Sequence, residues 1–322
     1  MTARLSIIIV SWNVKDDLLR CVASLRDNPP PDPVEQIVVD NASADATVEA
    51  LRRQYPEVAV IANAENVGFA AACNQGIARA QGDYILLLNP DTIVHPHALD
   101  EMAAFLDANP GVGACGPKLL NEDGSVQGSV RRFPTFGAVL YSHTVCRVLG
   151  LFRRQHRRWM MKDFTFDQQA DVDQLMGAAM MVRRSVIDEV GPLDVDFFMY
   201  FEDVDWCYRI KEAGWRIVFV PEAVITHLGG RSSVQAPFRR IMMLRSLLAF
   251  FRKHRRRLPM FLFTAAFKFA LVVRNVCHLV IGFLAYVFAC LVPDRNRKSS
   301  ARKKIILHAQ LLSRHLWHVL SM

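Results

Sequence analysis

The sequence predicts an α/β domain built on one doubly wound, mostly parallel sheet, followed by a basic, apolar helical appendage. Two observations carry this. Over the first hundred residues, short β-branched runs alternate with stretches of helical spacing. That is the pattern of βαβ units joined by right-handed crossovers. Charge also divides along the chain. Residues 231–322 hold 18 Lys/Arg and one acid, Asp294, a balance of +17, whereas residues 1–230 balance at −9. A mean hydropathy of +0.14 is high for a purely soluble protein, so the basic tail is expected to meet an anionic surface.

The elements follow in order. Leu5–Val10 is a continuous apolar run, expected as a strand buried on both faces. Val14, Leu18, Cys21, Val22 and Leu25 then fall at helical spacing, and the proline-rich stretch 29–33 ends that unit. Val34–Val39 is a second strand, with Asp40 and Asn41 at its C-terminal end. Ser43 or Asp45 can cap the helix that follows to about Gln54. Val58–Ala62 is a third strand, 63–68 a loop and 69–80 a helix of small residues. Tyr84–Leu88 is a fourth strand, ending in Asn89-Pro90-Asp91, and Pro96 suits the first position of the next helix.

Residues 112–136 read as strand and loop. Residues 137–160 mix large apolars with Arg147, Arg153, Arg154, Arg157 and Arg158. They read as an amphipathic helix over the active site or on a membrane, or as a solvated basic surface helix. Residues 171–182 return to strand character, with Gly177 and Ala178 allowing close approach, and 183–190 is helical. The stretch 197–215, FFMYFEDVDWCYRIKEAGW, predicts a helix opened by Glu202, Asp203 and Asp205 and closed by Gly214. Acids suit a first turn with or without chemistry. Ile217–Val220 and Ala223–Thr226 are two short strands, followed by His227.

Open α/β sheets bind ligands beyond the carboxyl ends of their strands. Asp40, Asn66 and Asp91 all fall at or just after such ends. Several classes are excluded. The first strand is followed by SWNVKDD, so neither a G-x-G-x-x-G fingerprint nor a P-loop is present there, nor the glycine-rich basic loop of a nucleotidyltransferase. The seven cysteines are scattered with no C-x-x-C pair, which argues against a disulfide framework or a zinc site. The N-terminal apolar run is too short for a signal peptide, so the body is expected in the cytoplasm.

Taken in order, SIIIVSWN, VDNASAD, ENVGFAAACNQGI, LLLNPDT, GAAMMVRR, FFMYFEDVDWCYRIKEAGW and HLGG form a pattern. It resembles glycosyltransferase family 2, the inverting transferases of GT-A fold, and within it the bacterial rhamnosyltransferase-like branch. The resemblance covers about residues 4–235. It implies a donor half, 1–115, an acceptor half, 116–235, and an appendage, 236–322. It implies that Asp40 accepts from the nucleotide base, with Asn41 beside it. Asn66, Gly68, Phe69 and Asn74 would shape the wall near nucleoside and sugar. Asn89-Pro90-Asp91 stands where the family has D-x-D, so one carboxylate is missing. Asp91 would hold Mg²⁺ or Mn²⁺ on the diphosphate, with His227 as a second ligand. Asp203 would be the catalytic base, Glu202 its rival, and Asp205 a residue that orients the helix start or holds a basic group.

The implied reaction moves one sugar from a nucleotide-sugar, dTDP-rhamnose first, to a cell-envelope or polyprenyl-diphosphate-linked glycan. Processive relatives carry Q-x-x-R-W after the base, and its expected absence from this chain points to single-sugar transfer. A non-catalytic scaffold or sugar-nucleotide sensor is the competing reading, which the acids at 91, 203 and 205 oppose. Nucleic acid is not expected as a partner, because no recognisable module is present. In the tail, basic clusters Arg252–Arg257 and Arg295–Lys304 flank an apolar stretch broken by Lys268, Arg274 and His278. Val276–Val292 falls short of the ~20 residues a spanning helix needs. Residues 252–304 are therefore expected to attach to the cytoplasmic face of the plasma membrane as re-entrant or interfacial helices.

Overall fold

The computed structural model describes residues 4–229, 236–254, 260–291 and 305–306. The chain forms two compact units, one of Met1–Phe133 with Met160–Ser233, the other of Pro134–Trp159 with Val234–Met322. In chain order the first unit opens with β1 (Leu5–Ser11), α1 (Lys15–Asp27), β2 (Val34–Asp40), α2 (Thr47–Gln54), β3 (Ala59–Ala62), α3 (Phe69–Arg79), β4 (Tyr84–Leu88) and β5 (Thr92–Val94). It continues with α4 (Ala98–Ala108), β6 (Val112–Leu120) and β7 (Val130–Arg131). The second unit supplies α5 (Phe136–His143), a 3₁₀ turn at Val145–Arg147, and α6 (Arg153–Trp159). The first unit resumes with β8 (Ala170–Asp171), β9 (Gln174–Leu175), β10 (Ala179–Arg183), α7 (Arg184–Val190), α8 (Glu202–Glu212) and β11 (Arg216–His227). Helices α9 (Ala236–His254) and α10 (Met260–Leu291) belong to the second unit.

The main sheet runs β3-β2-β1-β4-β10-β6-β11-β5, with β8 also paired to β11. Every residue of β1 is buried. Its side chains alternate between two cores: Ile7 and Ile9 pack in the core that holds Leu18, Cys21 and Val22 of α1. Ile8 and Val10 pack in the core that holds Ala70, Cys73 and Ile77 of α3. That two-faced burial is why the run is continuously apolar. Gly76 lets α3 lie close, since a Cβ there would sit 2.5 Å from Ile8 Cγ2.

The sheet is mixed, within the mostly parallel arrangement the sequence predicts. Strands β3, β2, β1 and β4 are parallel, but β10 runs antiparallel to both β4 and β6, and β5 antiparallel to β11. No crossover helix leads directly into β10, so the handedness rule for parallel units has nothing to act on there. Stretch 171–182 is not one strand: β8 and β9 precede β10, and β9 pairs with β7 in a separate ribbon. Conversely, Ile217–Val220 and Ala223–Thr226 belong to one strand, β11, whose register shifts between Val220 and Val224. Pro221 has no N–H to give a ladder, which suits a bulge.

Neither Ser43 nor Asp45 caps α2. Its N-cap is Ala46 in the left-handed region, while Asp45 accepts from Lys15 N at 3.0 Å and Ser43 Oγ from Asn13 N at 2.9 Å. Pro96 lies in the turn before α4, and left-handed His97 is the N-cap. Residues 137–160 are not one amphipathic helix; left-handed Gly150 and Phe152 break them into α5, the 3₁₀ turn and α6.

In the second unit Phe136 of α5 stacks on Phe251 of α9 at 4.5 Å, and His143 meets Phe267 of α10 edge-on at 6.2 Å. Phe250, Phe251 and Phe267 are fully buried. Among the described residues no helix is long and apolar enough to cross a membrane. Residues 255–257 and 295–304, which hold most of the two basic clusters, and Val292 lie outside the described residues.

Candidate active site

All twelve residues singled out in the sequence lie in the first unit. Asp40 ends β2 and is buried at 2% exposure. Its Oδ2 accepts from Ser43 N at 2.9 Å, while Oδ1 is buried with no hydrogen-bond partner. An orphaned carboxylate oxygen is costly, so it marks a place where a ligand N–H can dock. Asn41 beside it is spent on the 63–68 loop. Its Nδ2 donates to Asn66 Oδ1 at 3.0 Å and Gly68 O at 3.2 Å, and its Oδ1 accepts from Asn63 Nδ2 and Val67 N, both at 3.1 Å. Asn66 Oδ1 also accepts from Gly68 N at 3.0 Å.

This loop is tied to the segment ahead of α8. Phe69 N donates to Phe198 O at 2.8 Å. Asn74 pairs twice with the Leu193 backbone, donating to its O at 2.8 Å and accepting from its N at 3.0 Å. Gly68 has φ +90°, and a Cβ there would meet Phe198 Cδ2 at 2.7 Å and its carbonyl at 2.9 Å. Phe69 and Asn74, with the close approach at Gly68, thus hold the 63–74 stretch to the 193–198 segment.

Asp91 follows β4, and His227 ends β11. Their Oδ1 and Nε2 are 3.3 Å apart, each side chain 11% exposed. The ring's state follows from a residue sequence spacing could not reveal, Gln127, a hundred positions away. Its Nε2 faces two acceptors, Asn121 Oδ1 at 2.9 Å and His227 O at 3.3 Å, which sets the amide's orientation. Its Oε1 therefore accepts from His227 Nδ1–H at 2.7 Å. In the neutral ring Nε2 is then an acceptor, within 3.3 Å of the donor Asn89 Nδ2, and it faces the Asp91 carboxylate. Two lone-pair atoms at that distance suit a cation between them. Carboxylate plus imidazole, with the outer nitrogen held by an amide, is a donor set that fits a divalent ion completed by phosphate and water. Among the described residues no third His, Cys, Asp or Glu joins them.

Helix α8 begins with Glu202, Asp203 and Asp205 in its first turn, preceded by Tyr200 at φ 67° and Phe201 at φ 68°. Two consecutive left-handed aromatics are strained, and such strain gathers at functional sites. Asp203 is half-buried; its Oδ2 accepts from Gly177 N at 2.9 Å and its Oδ1 from Val204 N at 2.8 Å. Burial raises its pKa, opposed by those two N–H groups and by the charge of Arg131. Burial in turn lowers the pKa of Arg131, on β7. Glu202 is more deeply buried, its Oε2 has no partner, and burial with the Asp203 charge beside it raises its pKa well above the ordinary value. Asp205, fully buried, binds Arg209 Nε at 2.9 Å, and Arg209 ties the helix to the backbone of 190–192. It holds a basic group, as one of its expected roles has it.

The backbone of 177–178 joins the two clusters. Ala178 O accepts from Asn89 N at 2.9 Å, and Gly177 N donates to Asp203. Gln127, Arg131 and the Gly177 N–H are the parts that sequence reasoning missed. The letters Q-x-x-R-W do occur, at Gln155–Trp159, but they precede the acids and lie on α6 of the other unit, so the sequence lacks that motif only after the base.

A family model described as Glycosyl transferase family 2 matches residues 6–191. The N-acetylglucosaminyl-diphospho-decaprenol L-rhamnosyltransferase of Mycobacterium tuberculosis is 31% identical over 250 residues, 74% of this chain and 80% of that protein. Rhamnosyltransferase WbbL of Escherichia coli K12 is 32% identical over 143 residues, 44% of this chain and 51% of its own length. Among solved structures, mannosyltransferase PcManGT from Pyrobaculum calidifontis, in complex with GDP-Man and Mn2+, is similar with a TM-score of 0.57 at 19% identity, over 98% of this chain and 88% of that one. That likeness bears on the fold, a GT-A-like α/β arrangement around a mixed, mostly parallel sheet.

Proposed function

This chain belongs to glycosyl transferase family 2 and is a hexosyltransferase; from that premise we propose that it transfers a single rhamnose from dTDP-rhamnose to a polyprenyl-diphosphate-linked, GlcNAc-bearing acceptor of the cell envelope. The observation that carries the reading is the bridge at Gly177–Ala178. It joins the Asn89–Asp91 turn to Asp203, so a leaving-group site and a base share one piece of backbone. Inverting transfer is an in-line displacement that needs both.

Asp40 Oδ1 accepts from the nucleotide base. Asp203 takes the acceptor hydroxyl proton, because it is the less buried of the paired acids and two N–H groups fix its oxygens. Deeper burial favours the neutral form of Glu202, so the negative charge of the pair is better placed on Asp203. Asp91 and His227 would hold a divalent cation, Mg²⁺ or Mn²⁺, which would supply charge stabilisation to the departing diphosphate. Within residues 1–235, the first unit forms the catalytic part. Residues 252–304 attach the enzyme to the cytoplasmic face of the plasma membrane, a reading supported by α10, where Phe269, Ile281, Phe283, Leu284 and Phe288 are each at least 60% exposed.

The test is a panel of dTDP-, UDP- and GDP-sugars scored by thermal shift with and without Mn²⁺ or Mg²⁺, then by nucleoside diphosphate release on adding acceptor. A ligand that binds the native state raises its apparent stability. dTDP-rhamnose should shift Tm only with metal, and release should need acceptor. A shift confined to another nucleotide-sugar overturns the donor; stabilisation without release under any acceptor leaves only a sensor.

A further inference from the structure

The segment 134–159 carries five arginines and no acid. Between the 3₁₀ turn and α6 it exposes four large apolar side chains: Val148 at 88%, Leu149 at 67%, Leu151 at 50% and Phe152 at 42%. Arg147, Arg153, Arg154, Arg157 and Arg158, all exposed, flank this tip on both sides. The local cause is backbone. Gly150 at φ 69° and Phe152 at φ 65° turn the chain outward, so the tip has no helix face of its own to pack. Exposed apolar side chains in one contiguous stretch mark an interaction site. The segment is anchored within its unit, where α5 packs on α9 and α10 through Phe136–Phe251 and His143–Phe267.

We propose that residues 147–158 are a membrane-inserting wedge: Val148, Leu149, Leu151 and Phe152 enter the acyl boundary of an anionic bilayer, and the arginines beside them bind its phosphate headgroups. An apolar tip ringed by cations matches the two layers such a surface presents, apolar below and anionic above. A nucleic acid offers the arginines phosphate but gives the four apolar side chains nowhere to bury. A second copy could offer only one charge-matched surface, its acidic first unit. The wedge deepens the membrane reading of residues 252–304 by adding a contact that those residues do not contain, and it specifies the lipid charge.

The test uses the full chain with Leu149→Cys, in a Cys146→Ser/Cys277→Ser/Cys290→Ser background, carrying an NBD fluorophore. Vesicles of phosphatidylcholine alone are compared with vesicles containing one quarter phosphatidylglycerol, and sedimentation is read in parallel. NBD emission should rise and shift to the blue on the anionic vesicles and stay water-like on the neutral ones. Partition should weaken on the order of fivefold per arginine removed in the series Arg153→Ser, Arg154→Ser, Arg158→Ser. If those variants misfold, added salt on the parent protein should reverse the NBD shift. Sedimentation with a water-like probe overturns the wedge and leaves the C-terminal attachment standing. No sedimentation with either vesicle overturns both. A shift that needs only more protein, or only nucleic acid, overturns the wedge in favour of those partners.

Discussion

Glu202 and Asp203 stand side by side at the start of α8, and burial separates their roles. Asp203→Asn keeps the shape and removes the basicity, so turnover should fall by about 10²–10⁴ with donor affinity nearly unchanged. Steady-state kinetics together with donor titration checks this; normal turnover in Asp203→Asn with a dead Glu202→Gln would move the base one residue back. Glu202 makes a second prediction. Its folded-state pKa lies above the unfolded value of about 4.3, so the folded state binds the extra proton. Stability from this group is complete below the unfolded pKa and is lost as pH rises through the folded one. Glu202→Gln should therefore match the parent in Tm near pH 4 and gain on it as pH rises. A gap independent of pH would show that ionisation of Glu202 is not the cause. Gln127 holds the ring of His227, one of the two proposed metal ligands. Gln127→Leu frees the His227 ring, and Mn²⁺ affinity, read by electron paramagnetic resonance or calorimetry, should drop about 10–100-fold.

At the scale of elements, α3 and the 193–201 segment behave as one part. Three backbone-directed bonds, from Phe69 and Asn74, and the close approach at Gly68 fasten the 63–68 loop and α3 to the segment that leads into the strained turn before Asp203. Gly68→Ala adds a Cβ 2.7 Å from the Phe198 ring at a residue with φ +90°. The expected cost is about 1–3 kcal/mol, because both backbone strain and displacement of Phe198 enter. Urea denaturation measures it, and turnover should fall more than stability alone explains, since the same shift moves the base. A Gly68→Ala variant of unchanged stability and turnover would sink the coupling.

The whole molecule is an acidic catalytic body joined to a strongly basic remainder, −9 over residues 1–230 against +17 over 231–322. Charge of that sign draws the tail, rather than the body, to an anionic surface. Full-length protein should sediment with membranes at low salt and be released in part as salt screens the arginines and lysines. Quantitative recovery in the soluble fraction without detergent at low salt would rule out the attachment.

The local pattern by itself determined the strand and helix order through β4, the acids at strand ends and the acidic first turn of α8. Each of these rests on side chains a few positions apart, where period and capping act. Only the tertiary structure decided the antiparallel insertion of β10, because strand direction depends on what the intervening chain packs against. It alone decided that Asn41 and Asn74 bind backbone, that Gln127 orients His227, and that Gly177 holds Asp203. The same holds for Gln155–Trp159, whose letters match a motif that their position on α6 does not support. For the hydrogen-bonded pairs the partners lie tens of residues apart in the chain, and the geometry between them exists only once the sheet has formed and brought the strand ends together.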